Sequence, residues 1–281
     1  MITAPFDYEA PESLEEAVRM LHENGEDAKL LAGGHSLLPL MKLRLAAPTV
    51  LVDLRRIPGL HGIQQQNGGW SVGPMTRHAD LQDTPELGVV ARAASLIADQ
   101  QVRNRGTIGG SLAHGDPASD MPAVLLALDG EVSARGPNGD RTIAAADLFE
   151  DYLTTALAPD EVVIEVRLPA LEAYGFGYQK FTRRAEDWAM VGVCALVKRA
   201  GDGSCEDVRI GLTHMGSTPL RATAAEEALR GQGLDASSIA AAAQRAADGT
   251  EPPGDLNATP DYKRHLAQVL TRRALEAAAA A

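Results

Sequence analysis

Cysteine is scarce in this chain: two residues in 281, Cys194 and Cys205. Cys194 lies in the apolar run VGVCALV and Cys205 in the polar GDGSCEDV, with no CxxC spacing. Two reduced thiols in an intracellular protein fit that usage. They are too few for an iron–sulfur cluster, which takes four thiolates. Positive charge is also short. Against 38 acids stand 26 Lys and Arg, a formal net charge of −12, which argues against a nucleic-acid or anionic-membrane surface. No apolar run approaches the length of a membrane span. The N-terminus MITAPFDYEAPESLEEAVRML lacks the basic-then-apolar order of a signal peptide. The expectation is a soluble, cytoplasmic protein. Missing too are the common phosphate fingerprints, a GxGxxG after a strand or a lysine at GK[ST] spacing.

What is present reads as a globular chain, 45% hydrophobic and 23% charged. Ser13 with Glu16 matches a capping box, and Leu14, Ala17, Val18 and Leu21 then recur at helical spacing, up to a stop at Asn24-Gly25. AKLLAG and TVLVDLRRI read as buried strands, so the first part is a small α/β unit. GIQQQNGGWSV predicts a hairpin turning at NGG, LGVVARAASLIAD a helix, and EVVIEVRLP a strand ending at Pro169. Then come the strands around GFGYQKFTRRAEDWAMVGVCALVKR and DVRIGLTHMG. Helices at TAAEEALRG, ASSIAAAAQRAAD and DYKRHLAQVLTRRALEAAAA close the chain. Three units are expected: 1–57, 58–172 and 173–281.

One short echo stands out. AGGHSL at 32–37 and IGGSLAH at 108–114 each look like a strand end running into Gly-Gly, with Ser36 or Ser111 just after. Bare consecutive amides can converge on an anion, and a hydroxyl adds a donor. Two such turns from separate units could hold the two phosphates of a pyrophosphate. Each pair is equally compatible with a plain tight turn.

The stretches LLAGGHSLLPLMKLRLAAPTVLVDL and VRNRGTIGGSLAHGDPASDMPAVLLAL closely resemble the FAD-binding medium subunit of molybdenum hydroxylases, the carbon monoxide dehydrogenase and xanthine dehydrogenase family. The likeness extends through YQKFTRRAEDWAMVGVCALV to the closing helix. It implies an α+β chain: a two-subdomain, PCMH-type FAD-binding fold of the vanillyl-alcohol oxidase group, then a C-terminal α+β domain of the CO dehydrogenase flavoprotein type. By motif, the first FAD turn is Ala32, Gly33, Gly34, His35 and Ser36, led in by Lys29, Leu30 and Leu31. The second is Thr107, Ile108, Gly109, Gly110 and Ser111. The resemblance also implies cofactor contacts at Asp120, Val162, Val163, Lys180 and Trp188. A carboxylate such as Asp120 suits ribityl or ribose hydroxyls, and a lysine beside the flavin favours its reduced anion. The bland alternatives are a helix N-cap for Asp120, a solvated strand charge for Lys180 and plain packing for Trp188. His35 and His114 read as turn residues rather than metal ligands, and Ser111 stands where many relatives carry Asn or Asp.

The resemblance further implies the chain's work. Substrate is oxidised at a molybdenum cofactor on a large subunit, electrons cross two [2Fe–2S] clusters on a small subunit, and FAD here delivers them to an external acceptor. The assembly implied is a dimer of heterotrimers. No general base, nucleophile or metal ligand is expected in this chain. The other readings are a self-contained FAD oxidase or dehydrogenase and a non-catalytic assembly subunit. The small subunit is expected to dock near QQVRNRG, residues 100–106, through Arg103 and Arg105.

Overall fold

The computed structural model describes residues 2–171 and 173–281; Met1 and the expected boundary residue 172 lie outside them. In the first of its sheets, Asp7–Glu9 and Ala28–Leu31 both pair in parallel with the central Val50–Asp53. Parallel neighbours need a crossover, and the helices Leu14–Asn24 and Leu37–Leu43 provide one each. The first helix buries Ala17, Val18 and Leu21, as its spacing predicts. Ser13 Oγ accepts from the Glu16 amide at 3.2 Å. The Glu16 carboxylate accepts instead from the Glu12 amide at 3.1 Å, so the box closes one residue early.

The second sheet is antiparallel, in the order Ile63–Gln66, Gly69–Val72, Val162–Leu168, Glu131–Gly136, Gly139–Ala144. Gln66 faces Gly69, leaving Asn67 and Gly68 as a two-residue loop with φ of 52° and 80°. Both values are left-handed, which is the reason for Asn-Gly at a tight hairpin. Between Val72 and Glu131 the chain leaves the sheet and forms helices that include Val89–Ala94, Gln100–Arg103, Ile108–His114 and Asp120–Ala127.

The third sheet runs Tyr174–Phe181, Val191–Arg199, Cys205–Thr213, Leu220–Arg221, all antiparallel. Its central strand is buried on both faces, which explains the unbroken apolar run VGVCALV. Val193, Ala195 and Val197 join the core under the helices Thr223–Leu229, Ala236–Gln244 and Pro260–Ala280. Cys194 and Leu196 point the other way, into the core around the fully buried Asp120–Ala127 helix. The third sheet thereby shares an apolar layer with that helix. Burial pushes the Cys194 thiol up to about 12 and the Cys205 thiol to about 11, so neither is a reactive thiolate. Among the described residues no helix is long and apolar enough to cross a membrane, and no group of His, Cys, Asp and Glu is arranged to hold a metal.

Candidate functional site

A cavity of about 560 Å³ opens where the three sheet units meet, a size typical of small-molecule and cofactor clefts. Both glycine pairs lie in its wall. A Cβ on Gly33 would fall 2.3 Å from the Arg105 carbonyl oxygen, and Gly34 sits at φ 77°. The first needs glycine for a close backbone approach, the second for its left-handed conformation. Among the described residues, the amides of Gly33, Gly34, His35 and Ser36 donate to no protein acceptor. Unengaged amides at a cavity wall are donors available to an anion.

The second pair departs from expectation. Gly109 and Gly110 lie within the first turn of the Ile108–His114 helix, not at a strand end, because Thr107 acts as its N-cap. Its amides are already engaged: Ile108 to Thr76 O, Gly109 to Pro74 O, Ser111 to Thr107 O, and Gly110 to Thr107 Oγ1 at 3.2 Å. What these glycines allow is close packing of the helix start against Pro74 and Thr107. A Cβ on Gly109 would fall 2.4 Å from that of Pro74, and one on Gly110 2.8 Å from Thr107 Oγ1. The hydroxyls of Ser36 and Ser111 both line the cavity, and among the described residues neither has a protein partner.

Deeper in, Asp120 and Lys180 meet. Lys180 Nζ donates to Asp120 Oδ2 at 2.8 Å and to the Leu96 carbonyl at 3.1 Å. Both side chains are only 5% exposed. The Tyr178 hydroxyl donates to the other Asp120 oxygen, and burial, then the Asp120 charge, push that hydroxyl well above its usual range. Asp120 is the first residue of its helix, after Ser119, so it is not the N-cap. Nor is Lys180 a solvated strand charge. Each neutralises the other at the cavity wall.

Trp188 lines the mouth with 55% of its surface exposed, more than simple packing explains. Lys29, Leu30, Ala32, His35 and Val163 also line the cavity. Three expected contacts turn away from it. Leu31 packs with Met41 and Leu51, Ile108 lies in the core of the second unit, and Val162 packs against Ala17 and Val18. Strand alternation explains Val162: its neighbour Val163 takes the cavity face. The Arg103 guanidinium donates to the carbonyls of Ile97 and Ala98 at 2.8 and 3.0 Å, bracing a cavity-wall turn. Arg105 alone of the two remains exposed.

Sequence reasoning missed Ile97, Leu157 and His78 in the lining. Nothing in LIAD, ALAP or TRHADL distinguishes a wall from a core residue, since tertiary packing alone brings them together. His78 is 5% exposed, and burial, aided by His35 and Arg103, pushes its imidazole down to about 4. Burial also lowers His35 and His114. The free amides of the first glycine turn, the two hydroxyls and the buried lysine together fit an extended dinucleotide with a pyrophosphate. FAD is such a molecule.

The family described as the FAD binding domain in molybdopterin dehydrogenase matches residues 4–171. The CO dehydrogenase flavoprotein C-terminal domain matches residues 176–278. The carbon monoxide dehydrogenase medium chain of Hydrogenophaga pseudoflava is 44% identical over 283 residues, covering 99% of this chain and 98% of its own. The 6-hydroxypseudooxynicotine dehydrogenase complex subunit alpha of Paenarthrobacter nicotinovorans is 38% identical, with 96% and 93% covered. A structure of the Hydrogenophaga pseudoflava enzyme lacking the Mo-pyranopterin moiety superposes with a TM-score of 0.96 at 46% identity, over 100% of this chain and 99% of that one. The glycine-lined cleft, the order of the three sheets and these full-length likenesses agree, and the chain belongs to the FAD-binding medium-subunit family of the molybdenum hydroxylases.

Proposed function

We propose that the cavity holds FAD non-covalently, with its pyrophosphate on the free amides of Gly33 to Ser36 and its body along Gly109, Gly110 and the Asp120–Lys180 pair. The chain is the FAD-carrying electron-transfer subunit of a heteromeric molybdenum-containing oxidoreductase. Its partners are a large molybdenum-cofactor subunit and a small [2Fe–2S] subunit. Bound FAD supplies two-electron redox chemistry with one-electron access, which lets it join an iron–sulfur relay to an outside acceptor.

The residues of this chain do the rest. The first turn's amides and the Ser36 and Ser111 hydroxyls bind and orient an anionic cofactor. The glycines let backbone approach it closely. Lys180 supplies an ammonium donor at the wall, held in place by Asp120, which the Tyr178 hydroxyl holds in turn, so the pair adds direction without net charge. The observation that carries the reading is the set of unengaged amides facing a cavity with a buried, paired lysine.

Several finer points belong to this proposal. The units 1–57, 58–172 and 173–281 act as two FAD-binding subdomains and a third that closes the cleft. The complex is cytoplasmic and a dimer of heterotrimers, and Arg105 contributes to small-subunit docking. The substrate is set by the large subunit: relatives of similar identity work on carbon monoxide and on 6-hydroxypseudooxynicotine. The test is acid precipitation of the purified full chain. Flavin released to the supernatant in about one-to-one ratio with protein, and identified as FAD, is the expected result; no flavin, or flavin left on the pellet, overturns the assignment.

A further inference from the structure

His78 is a polar side chain with nothing to bind. It opens the short helix His78–Gln82, and its own amide donates to the Gly106 carbonyl at 2.9 Å. Its ring lies so close over Gly106 that a Cβ there would fall 2.9 Å from the imidazole Cδ2. Gly106 is in turn the backbone against which Gly33 packs, at 2.8 Å from a Cβ built there. Ring, Gly106 and the first glycine turn are three successive layers of one wall, and His78 lines the cavity with them.

The residue is 5% exposed, yet Nδ1 is buried without a partner, and among the described residues Nε2 has no protein partner either. An unpaired buried polar group costs about 1–3 kcal/mol, and native structures rarely leave one without reason. An apolar side chain of similar shape would avoid that cost. We propose, on the reading that the cavity holds FAD, that His78 hydrogen-bonds the bound cofactor beside the first glycine turn and, with His35, couples cofactor binding to proton uptake.

The charges around the pair give the direction of the coupling. His78 and His35 both line the cavity, and the charges of His35 and of Arg103, in the Gln100–Arg103 helix, act against protonation of His78. On its own helix Asp80 is turned back to the Arg77 amide. His35 faces Arg105, with Asp99 the opposing acid. Without ligand the His78 ring is buried among mostly positive groups and held neutral, while the exposed His35 ring is lowered more mildly, by partial burial and then Arg105. A pyrophosphate brings negative charge against them and favours the imidazolium form of each. A group whose pKa rises on binding takes up protons between its two values. Affinity for the dinucleotide therefore grows as pH falls toward the ligand-free value, about 4 for His78.

The experiment uses the full chain stripped of flavin and titrated with FAD by calorimetry in two buffers of different ionisation enthalpy. The wild type is expected to take up a fraction of a proton per FAD and to bind more tightly at lower pH. His78→Phe is expected to bind about tenfold more weakly and to take up measurably less proton. His78→Gln keeps a hydrogen-bonding side chain that does not titrate, and is expected to recover most of the affinity with the uptake still reduced as in His78→Phe. Far-UV circular dichroism checks the fold of each variant. Wild-type affinity and uptake in His78→Phe would mean a ring satisfied by buried water beside Gln82 and Arg103, and would overturn the proposal. If the wild type itself binds no FAD, the cavity reading fails first, and the result is distinct.

Discussion

Replacing Lys180 by methionine isolates the buried pair. Methionine nearly matches the lysine stem in volume but carries no charge, leaving Asp120 with the Tyr178 hydroxyl as its remaining side-chain partner. Both partners of the pair are 5% exposed, so solvent screening does not blunt the effect. Breaking such a pair from one side costs about 3–5 kcal/mol, because a charge is left buried and unpaired. At roughly 2–4 °C per kcal/mol for a chain of this size, melting falls by roughly 6–20 °C. Asp120→Asn is destabilising for the converse reason. The double variant, Lys180→Met with Asp120→Asn, removes both charges and should regain most of the loss, since a neutral replacement of a buried pair is often nearly cost-free. Urea melts of the four proteins give the coupling energy directly. The flavin potential supplies an independent sign. It should fall in Lys180→Met, where the wall gains a net negative charge, rise in Asp120→Asn, and return toward wild type in the double variant. A loss below about 1 kcal/mol in Lys180→Met, or strictly additive variants, would refute the reasoning.

Gly33→Ala drives a methyl into the Arg105 carbonyl, 2.3 Å from its Cβ. The backbone there must move, at a cost of about 1–3 kcal/mol, and the expected outcome is purified protein with well below one flavin per chain by absorbance. Acid stability follows from the histidines. His35, His78, His114 and His214 are all held below their ordinary value, burial being the largest cause for each. The unfolded chain binds their protons first, so their contribution is complete above about pH 6.5 and is lost as pH falls below it. For His78 the window runs down to about 4. That gap converts to roughly 3 kcal/mol. Flavin-free His78→Phe should show a shallower decline in urea stability across this window; a slope equal to wild type would count against the buried neutral imidazole.

The legible parts of this fold are those where local chemistry acts alone. Asn67-Gly68 makes a hairpin because two left-handed positions need residues that tolerate them, and Leu14–Asn24 is a helix because its apolar spacing and caps agree. The glycine at 33 was visible as a residue type, but its reason was not, since the Arg105 carbonyl that excludes a side chain lies 72 positions along. Gly109 and Gly110 look like a copy of the first pair in sequence and behave differently in space. Thr107 caps the helix they open, and the Pro74 carbonyl and the Thr107 hydroxyl take their amides. Asp120 and Lys180 are each candidate contacts by motif, whereas their pairing depends on the third sheet packing against the Asp120–Ala127 helix. His78 carried no signal at all. Its meaning comes from burial without a partner, which no sequence window contains, and residues of that kind are where a cofactor cleft hides its remaining contacts.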